Sequence, residues 1–310
     1  MSKNKLLYGI KKARLTGSKK TQYNNKAQAM RFAKILYQQG WRPQHWKNIT
    51  NKHVSIVAEE WKQRGLKTST IKAYIGSVRV VAKAYGNESI HKSNAKFGIG
   101  KRTTIAKQSR AVPEEIYQQT RNVLLAGTDR QKRIGHQITM MHELGLRPEE
   151  ARKINPAIAL LPDGRIYISA GTKGGRDRII HEPTKNQITS VKALAPYIGR
   201  NGNSWPDTVS EANWEKYTYK IVSGLGLCIR ACGASLHGLR HGYAHRRYHE
   251  LTNLDAPCLH SNPAAFRQAA VAEHGRNWRK IHDQAVDRVA HELGHNRGEV
   301  TASYIGSIHG

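Results

Sequence analysis

The chain has 310 residues, enough for one large core or two smaller ones, and two domains are the natural expectation. Lys and Arg outnumber Asp and Glu by 51 to 22, a formal net charge of +29 spread along the whole length, which points to a polyanion, nucleic acid first, as the partner. No apolar run approaches a spanning length and the opening M-S-K-N-K-L-L-Y-G lacks a signal peptide's apolar stretch, so a membrane partner and export are both disfavoured and a cytoplasmic, nucleoid-associated protein is expected. Cys228, Cys232 and Cys258 suit neither a disulfide framework nor a four-ligand zinc site, and read as reduced, mostly buried thiols.

Residues 1–20 carry seven Lys and Arg and no acidic residue, a composition that reads as a DNA-contacting arm or as a loose, solvated terminus. Three helical patterns follow over about 21–86: Ala27, Met30, Ala33 and Leu36 ending at Gly40; Val54, Val57 and Trp61 ending at Gly65; and Ile71, Tyr74, Ile75, Val78, Val81 and Tyr85 ending at Gly86. They predict a small helical, DNA-binding bundle with basic outer faces, on which Lys72 and Arg79 are candidate DNA contacts. Periodicity fails over 87–111, an expected extended basic linker with Lys101 and Arg102 as further candidates. From 112 to 310 a second domain is expected, helical with a small antiparallel sheet whose strands lie near Ala157–Leu161, Arg165–Ala170 and Arg178–His181.

Six residues in this chain could together carry phosphoryl transfer: Arg147, Lys173, His237, Arg240, His295 and Tyr304. Cutting a phosphodiester without a metal needs a nucleophile, cations for the equatorial oxygens and an acid for the leaving oxygen. Arg147 in E-L-G-L-R-P-E-E and Arg240 in L-H-G-L-R-H-G offer planar forks that grip phosphate, and Glu150, three residues after Arg147, is placed to orient its guanidinium. Lys173 lies in A-G-T-K-G-G-R, where Gly174 and Gly175 predict a tight hairpin whose lysine either protonates a departing 5′ oxygen or is simply exposed, with Arg176 beside it as a DNA contact. His237 is three residues before Arg240 on one helix face and can accept the tyrosine proton. His237, His241 and His245 repeat at four-residue steps, a spacing that suits a metal, yet no acidic or cysteine ligand is fixed in register, so packing and phosphate contact are the preferred reading and no metal is expected. His295 in H-E-L-G-H precedes Tyr304 by nine residues, which makes Tyr304 the attacking phenol.

These motifs, in this order, resemble the tyrosine recombinases, the phage-type integrases and bacterial resolving recombinases, over nearly the whole chain. The resemblance implies a helical, SAM-like core-binding domain followed by a mixed α/β catalytic domain. Arg147 matches the first catalytic arginine, Glu150 its acidic companion, Lys173 the hairpin lysine, His237 and Arg240 the histidine-arginine pair, His295 the next histidine and Tyr304 the nucleophile. It further implies site-specific cleavage and rejoining of duplex DNA through a 3′-phosphotyrosine, for integration or excision of a mobile element. A homotetramer formed on DNA and weakly associated without it, an accessory directionality protein and no cofactor complete that expectation. The long interval from Arg240 to His295 marks an apparent insertion near 253–283, expected to contact DNA or a neighbouring subunit. Only six residues follow Tyr304, too few for the docking helix many relatives carry there, and the insertion is the expected replacement contact. The competing readings are a type IB topoisomerase-like relaxing enzyme and a non-catalytic DNA-binding protein.

Overall fold

The computed structural model describes residues 4–101, 105–172, 175–295 and 298–309. They divide into two compact units, Met1–Thr103 and Thr104–Gly310, each with its own core. The fold is mainly helical with one small antiparallel sheet, as the sequence implies.

The first unit is a helical bundle of α1 (Lys5–Lys12), α2 (Lys19–Gln38), α3 (Asn51–Gln63) and α4 (Thr68–Lys83). Its helices close where the apolar periodicity stops, and Gly40, Gly65 and Gly86 follow with positive φ. Phe32, Trp46 and Trp61 fill the centre, with Val54, Val57, Ile71, Ile75 and Val78 around them. The opening basic segment is not a loose arm. Its α1 is capped by Asn4, buries Leu6 and Ile10 in the bundle, and is tied down by Trp46 Nε1, which donates to the Leu6 carbonyl at 3.0 Å. Two apolar residues four apart anchor a helix whose charges all face solvent, which charge counting alone does not reveal. The stretch expected as a linker is likewise partly folded: Ile90, Phe97 and Ile99 are buried in this unit, around a 3₁₀ turn at Asn94–Phe97.

The second unit is built around α6 (Asp129–Leu144), which follows α5 (Glu114–Ala126) and buries Ile134, Ile138, Met141 and Leu144. After it come α7 (Pro148–Lys153) and α8 (Pro156–Ala159), strands β1 (Ile166–Ile168) and β2 (Arg178–Ile180), then α9 (Lys185–Leu194), α10 (Glu211–Gly224) and α11 (Ile229–Cys232). The polypeptide ends with α12 (His237–Thr252), α13 (Pro263–His274), α14 (Trp278–Glu292) and α15 (Ala302–Ile305). The strand expected at Ala157–Leu161 is instead α8, because Asn155 caps it and Pro156 starts it, leaving only Leu160 to bridge Ile166. The tight turn expected between the strands falls partly on residues outside the described ones, while the strands themselves pair as antiparallel neighbours. Ile168 pairs with Arg178, so nine residues, 169–177, join β1 to β2. Lys173 and Gly174 lie outside the described residues, as does Arg102.

The segment near 253–283 folds as a 3₁₀ turn at Pro257–Leu259, helix α13 and the start of α14. Phe266 is buried there with edge contacts to His260, Trp278 and His282, and Tyr248 on α12 bonds His282 Nδ1 at 2.8 Å. This packing is internal to the second unit. Among the described residues, no single helix is long and apolar enough to cross a membrane.

Candidate active site

Arg147 stands at the N-cap of α7, where its own sequence builds the site's first contact. Glu150, at the third helical position, accepts the Arg147 backbone N–H at 2.8 Å and Arg147 Nη1 at 2.6 Å, so the acid both caps the helix start and grips the guanidinium of the residue before it. Glu150 is fully buried. It also receives two bonds from Arg178, Nη1 at 3.2 Å and Nη2 at 2.8 Å, and lies 3.9 Å from Arg240 Nη1. Burial pushes this carboxyl up, but the bonds and charge of Arg178, the charge of Arg240 and the Arg147 N–H bring it down to about 2. One carboxylate thus binds three arginines into a single block.

Arg240 is the most deeply buried of them, with none of its side chain exposed. It reaches across the unit from α12: Nη1 donates to the Gly145 carbonyl, Nη2 to the Leu293 carbonyl, and Nε to the Tyr304 hydroxyl at 3.1 Å. Burial, then the neighbouring Arg147 and Arg178, lowers its pKa to about 10 against the opposing influence of Tyr304, and the group remains cationic at neutral pH. Gly145 ends α6 with φ +62, and a Cβ there would lie 2.5 Å from Tyr243, so glycine is what lets this carbonyl face Arg240 with Tyr243 packed behind it.

His295, just beyond the α14 terminus, places Nε2 at 3.3 Å from Arg240 Nη2. Its Nδ1 is buried with no partner among the described residues. Burial and the charges of Arg240, Arg147 and Arg178 hold His295 near 3, so the ring is neutral at physiological pH, and Nε2 is the acceptor facing Arg240. His237 is lowered to about 4 by burial and then by Arg240 and Arg147. His241 is lowered to about 3, by burial first and then by His237 and His245.

Tyr304 on α15 is surrounded by this set. Its ring centroid lies 5.8 Å from His237, 4.7 Å from His241 and 5.4 Å from His295, with the Arg240 guanidinium 5.5 Å away. Its backbone carbonyl takes a 3.0 Å hydrogen bond from His245 Nε2. The structure therefore brings Arg147, Glu150, His237, Arg240, His295 and Tyr304 into one cluster. The four-residue histidine repeat packs around Tyr304, and among the described residues no group of three or more His, Cys, Asp or Glu is arranged to hold a metal.

Sequence reasoning missed Arg178, whereas His241 and His245, read from the histidine repeat as packing or phosphate-contact residues, pack against Tyr304. Arg178 shares its strand face with buried Ile180, and an arginine at an inward position of an alternating strand was the available signal. The candidate DNA contacts are dispersed. Lys101 and Arg176 are exposed and Lys72 is half-buried, while Arg79 binds its own unit through Nε to the His91 carbonyl and Nη2 to Asn94 Oδ1, at 2.9 and 2.8 Å.

Comparison with known proteins agrees with this architecture. Residues 4–91 match the family model "Phage integrase, N-terminal". Among solved structures, the XerH site-specific recombinase bound to a palindromic difH substrate in a post-cleavage complex matches with a TM-score of 0.59 at 15% identity, covering 93% of this chain and 76% of that one. The Tn1549 transposon integrase in complex with transposon right-end DNA matches with a TM-score of 0.55 at 12% identity, over 98% of this chain and 95% of that one. A lambda integrase tetramer bound to a Holliday junction matches with a TM-score of 0.57 at 15% identity, over 98% and 76% respectively. No curated protein matches by sequence. Residues 4–91 thus match the phage integrase N-terminal model, and over nearly its whole length the chain shares the fold of the XerH recombinase and of the Tn1549 and lambda integrases.

Proposed function

We propose that this protein is a site-specific DNA recombinase that cleaves and rejoins duplex DNA through a 3′-phosphotyrosine on Tyr304. The observation that carries the reading is the bond from Arg240 Nε to the Tyr304 hydroxyl, inside a cluster that also holds Arg147, His237 and His295. A buried guanidinium donating to a phenol oxygen favours the phenolate, and the same cation stabilises the charge that builds on a phosphate attacked by that oxygen.

In the forward step the Tyr304 oxygen bonds to phosphorus, the bond to the 5′ oxygen breaks, and a proton returns to that oxygen as it leaves. His237 is neutral at physiological pH and accepts the phenolic proton; Arg147 and Arg240 hold the non-bridging oxygens. Lys173 is the proposed acid for the 5′ oxygen. Rejoining is the reverse attack by a 5′ hydroxyl, on the same or a new strand, so no energy source is consumed. The exposed cations and the net charge of +29 supply the phosphate contacts that draw the protein onto DNA. Assembly as a tetramer on two sites and control by an accessory protein belong to the same proposal, since related folds include a tetramer on a Holliday junction.

The test is capture of detergent-resistant protein-DNA adducts from fragmented genomic DNA of the host, followed by sequencing of the captured ends. A recombinase yields one recurrent sequence, and Tyr304→Phe yields none while still shifting duplex DNA in a gel. Relaxation of arbitrary supercoiled plasmids would instead establish a topoisomerase, and absence of adducts with retained binding would leave a non-catalytic DNA-binding protein.

A further inference from the structure

The short helix bearing Tyr304 has only four residues, α15 (Ala302–Ile305), and a helix of one turn does not hold its place by itself. Helix α12 holds it through Arg240 and His245, and the segment between α12 and α14 fastens the chain that follows. Gly306 leaves α15 with φ +90 and lies so close to the Pro257–Leu259 turn that an added Cβ would be 2.7 Å from the Cys258 backbone nitrogen and 2.8 Å from its Cβ. Cys258 Sγ lies 3.7 Å from the Tyr304 carbonyl and 3.5 Å from His245 Nε2, the group that bonds the same carbonyl. Beyond, Ile305 and Ile308 are buried in one cluster with Ala256, Phe266 and Ala270. Arg267 on α13 donates from Nη1 to the Ile308 carbonyl at 2.6 Å. The strap is itself braced: Asn253 bonds Glu273 at 2.7 Å, and His274 bonds the Thr252 carbonyl.

We infer that the segment 253–283 is a strap that fastens the nucleophile helix to its own protomer, with Arg267, Cys258 and Gly306 as positioning residues that set where the Tyr304 hydroxyl rests. This rests on the reading of Tyr304 as nucleophile. The strap grips the chain at and just after that tyrosine, through its carbonyl and through Ile305 to Ile308, so loosening it moves the phenol away from Arg240 without removing any group that touches phosphate. It also assigns the inserted segment a task inside one subunit, where the sequence pointed to DNA or a neighbouring copy.

Cys258 reports directly on the strap. The thiol is buried and pushed up to about 11 by that burial, so an alkylating reagent reaches it only when the tail lifts. In the full-length protein with Cys228 and Cys232 replaced by serine, maleimide labelling of Cys258 should be slow. Gly306→Ala should speed it by about tenfold or more, since both the clash and the backbone conformation oppose the tail's seating. Arg267→Ala should give a smaller rise and Arg267→Lys less again. Across the three variants, the rate of covalent adduct formation on the duplex captured by the parent should fall in the same order as labelling rises, with duplex affinity unchanged. Equal labelling in parent and variants, or unchanged adduct rates despite faster labelling, overturns the strap. Adducts formed by Tyr304→Phe would instead remove the nucleophile assignment while leaving the labelling result standing.

Discussion

The two units bury different things. The N-terminal bundle packs Phe32, Trp46, Trp61 and aliphatic side chains, and its buried polar residues are the uncharged Ser77 and Asn87 and one histidine, His53. Among its described residues the C-terminal unit encloses Glu150, Arg152, Arg178, Arg240 and Glu292 together with four histidines, His142, His241, His245 and His282, and Tyr304. An apolar interior is the cheaper way to hold helices together, whereas paired buried charges cost desolvation that their attraction only about offsets. The difference teaches that the first unit is organised for stability and the second gives up stability to keep cations fixed around one phenol.

The sharpest way to break this contrast is to remove the central acid. Glu150→Ala leaves Arg178 and part of Arg147 and Arg240 without a counter-charge, and should destabilise the protein by about 3–5 kcal/mol in urea unfolding, with loss of adduct formation. A change under about 1 kcal/mol would show that the arginines do not depend on it.

Phe32→Ala should cost a similar amount, about 3–5 kcal/mol, by opening a cavity in the bundle. Here the outcomes diverge: the adduct rate of DNA-bound protein, measured at a temperature where the variant is folded, should keep the parent's value and pH profile. An altered pH profile in Phe32→Ala would erase the proposed division of labour.

Acid should separate stability from packing in the same way. His237, His241 and His295 sit near 4, 3 and 3 in the folded protein, below the ordinary 6.5, so the stability they contribute is full above about pH 6.5 and is lost as pH falls through those folded values. Glu150, near 2 against an ordinary 4.5, extends the same loss to lower pH. Between pH 6.5 and 4 the parent should lose on the order of a few kcal/mol, and His241→Gln should flatten that slope. A slope that His241→Gln leaves unchanged would show that this ring is not held neutral.

The smallest effect is expected at Arg178→Lys, which keeps the charge but loses the paired geometry on Glu150, at about 1–3 kcal/mol. Adduct formation should slow with little change in DNA affinity. Stability equal to the parent's would mark the fork as dispensable.

Much of this was legible in the linear sequence because it repeats at helical spacing. Val54, Val57 and Trp61 point to one buried face, and Ile71, Ile75 and Val78 to another, and both are buried. Arg147, His237, Arg240, His295 and Tyr304 announce themselves by short-range context, and all five converge. What escaped depends on contacts far apart in sequence. Arg178 reads as a solvated strand residue until Glu150, 28 positions earlier, is seen to neutralise it. The basic first twenty residues conceal Leu6 and Ile10, whose burial is decided by Trp46. Cys258 and Arg267 carry no motif at all, since their partners are backbone atoms at the far end of the chain.

The most direct measurement is mass mapping of the protein-DNA adduct. Protein trapped on its captured duplex is digested with nuclease and trypsin, and the residue bearing the nucleotide is located by tandem mass spectrometry. The account predicts a 3′-phosphoryl nucleotide on the Tyr304 oxygen and nowhere else. A nucleotide on any other residue, or on a 5′ phosphate, would contradict it.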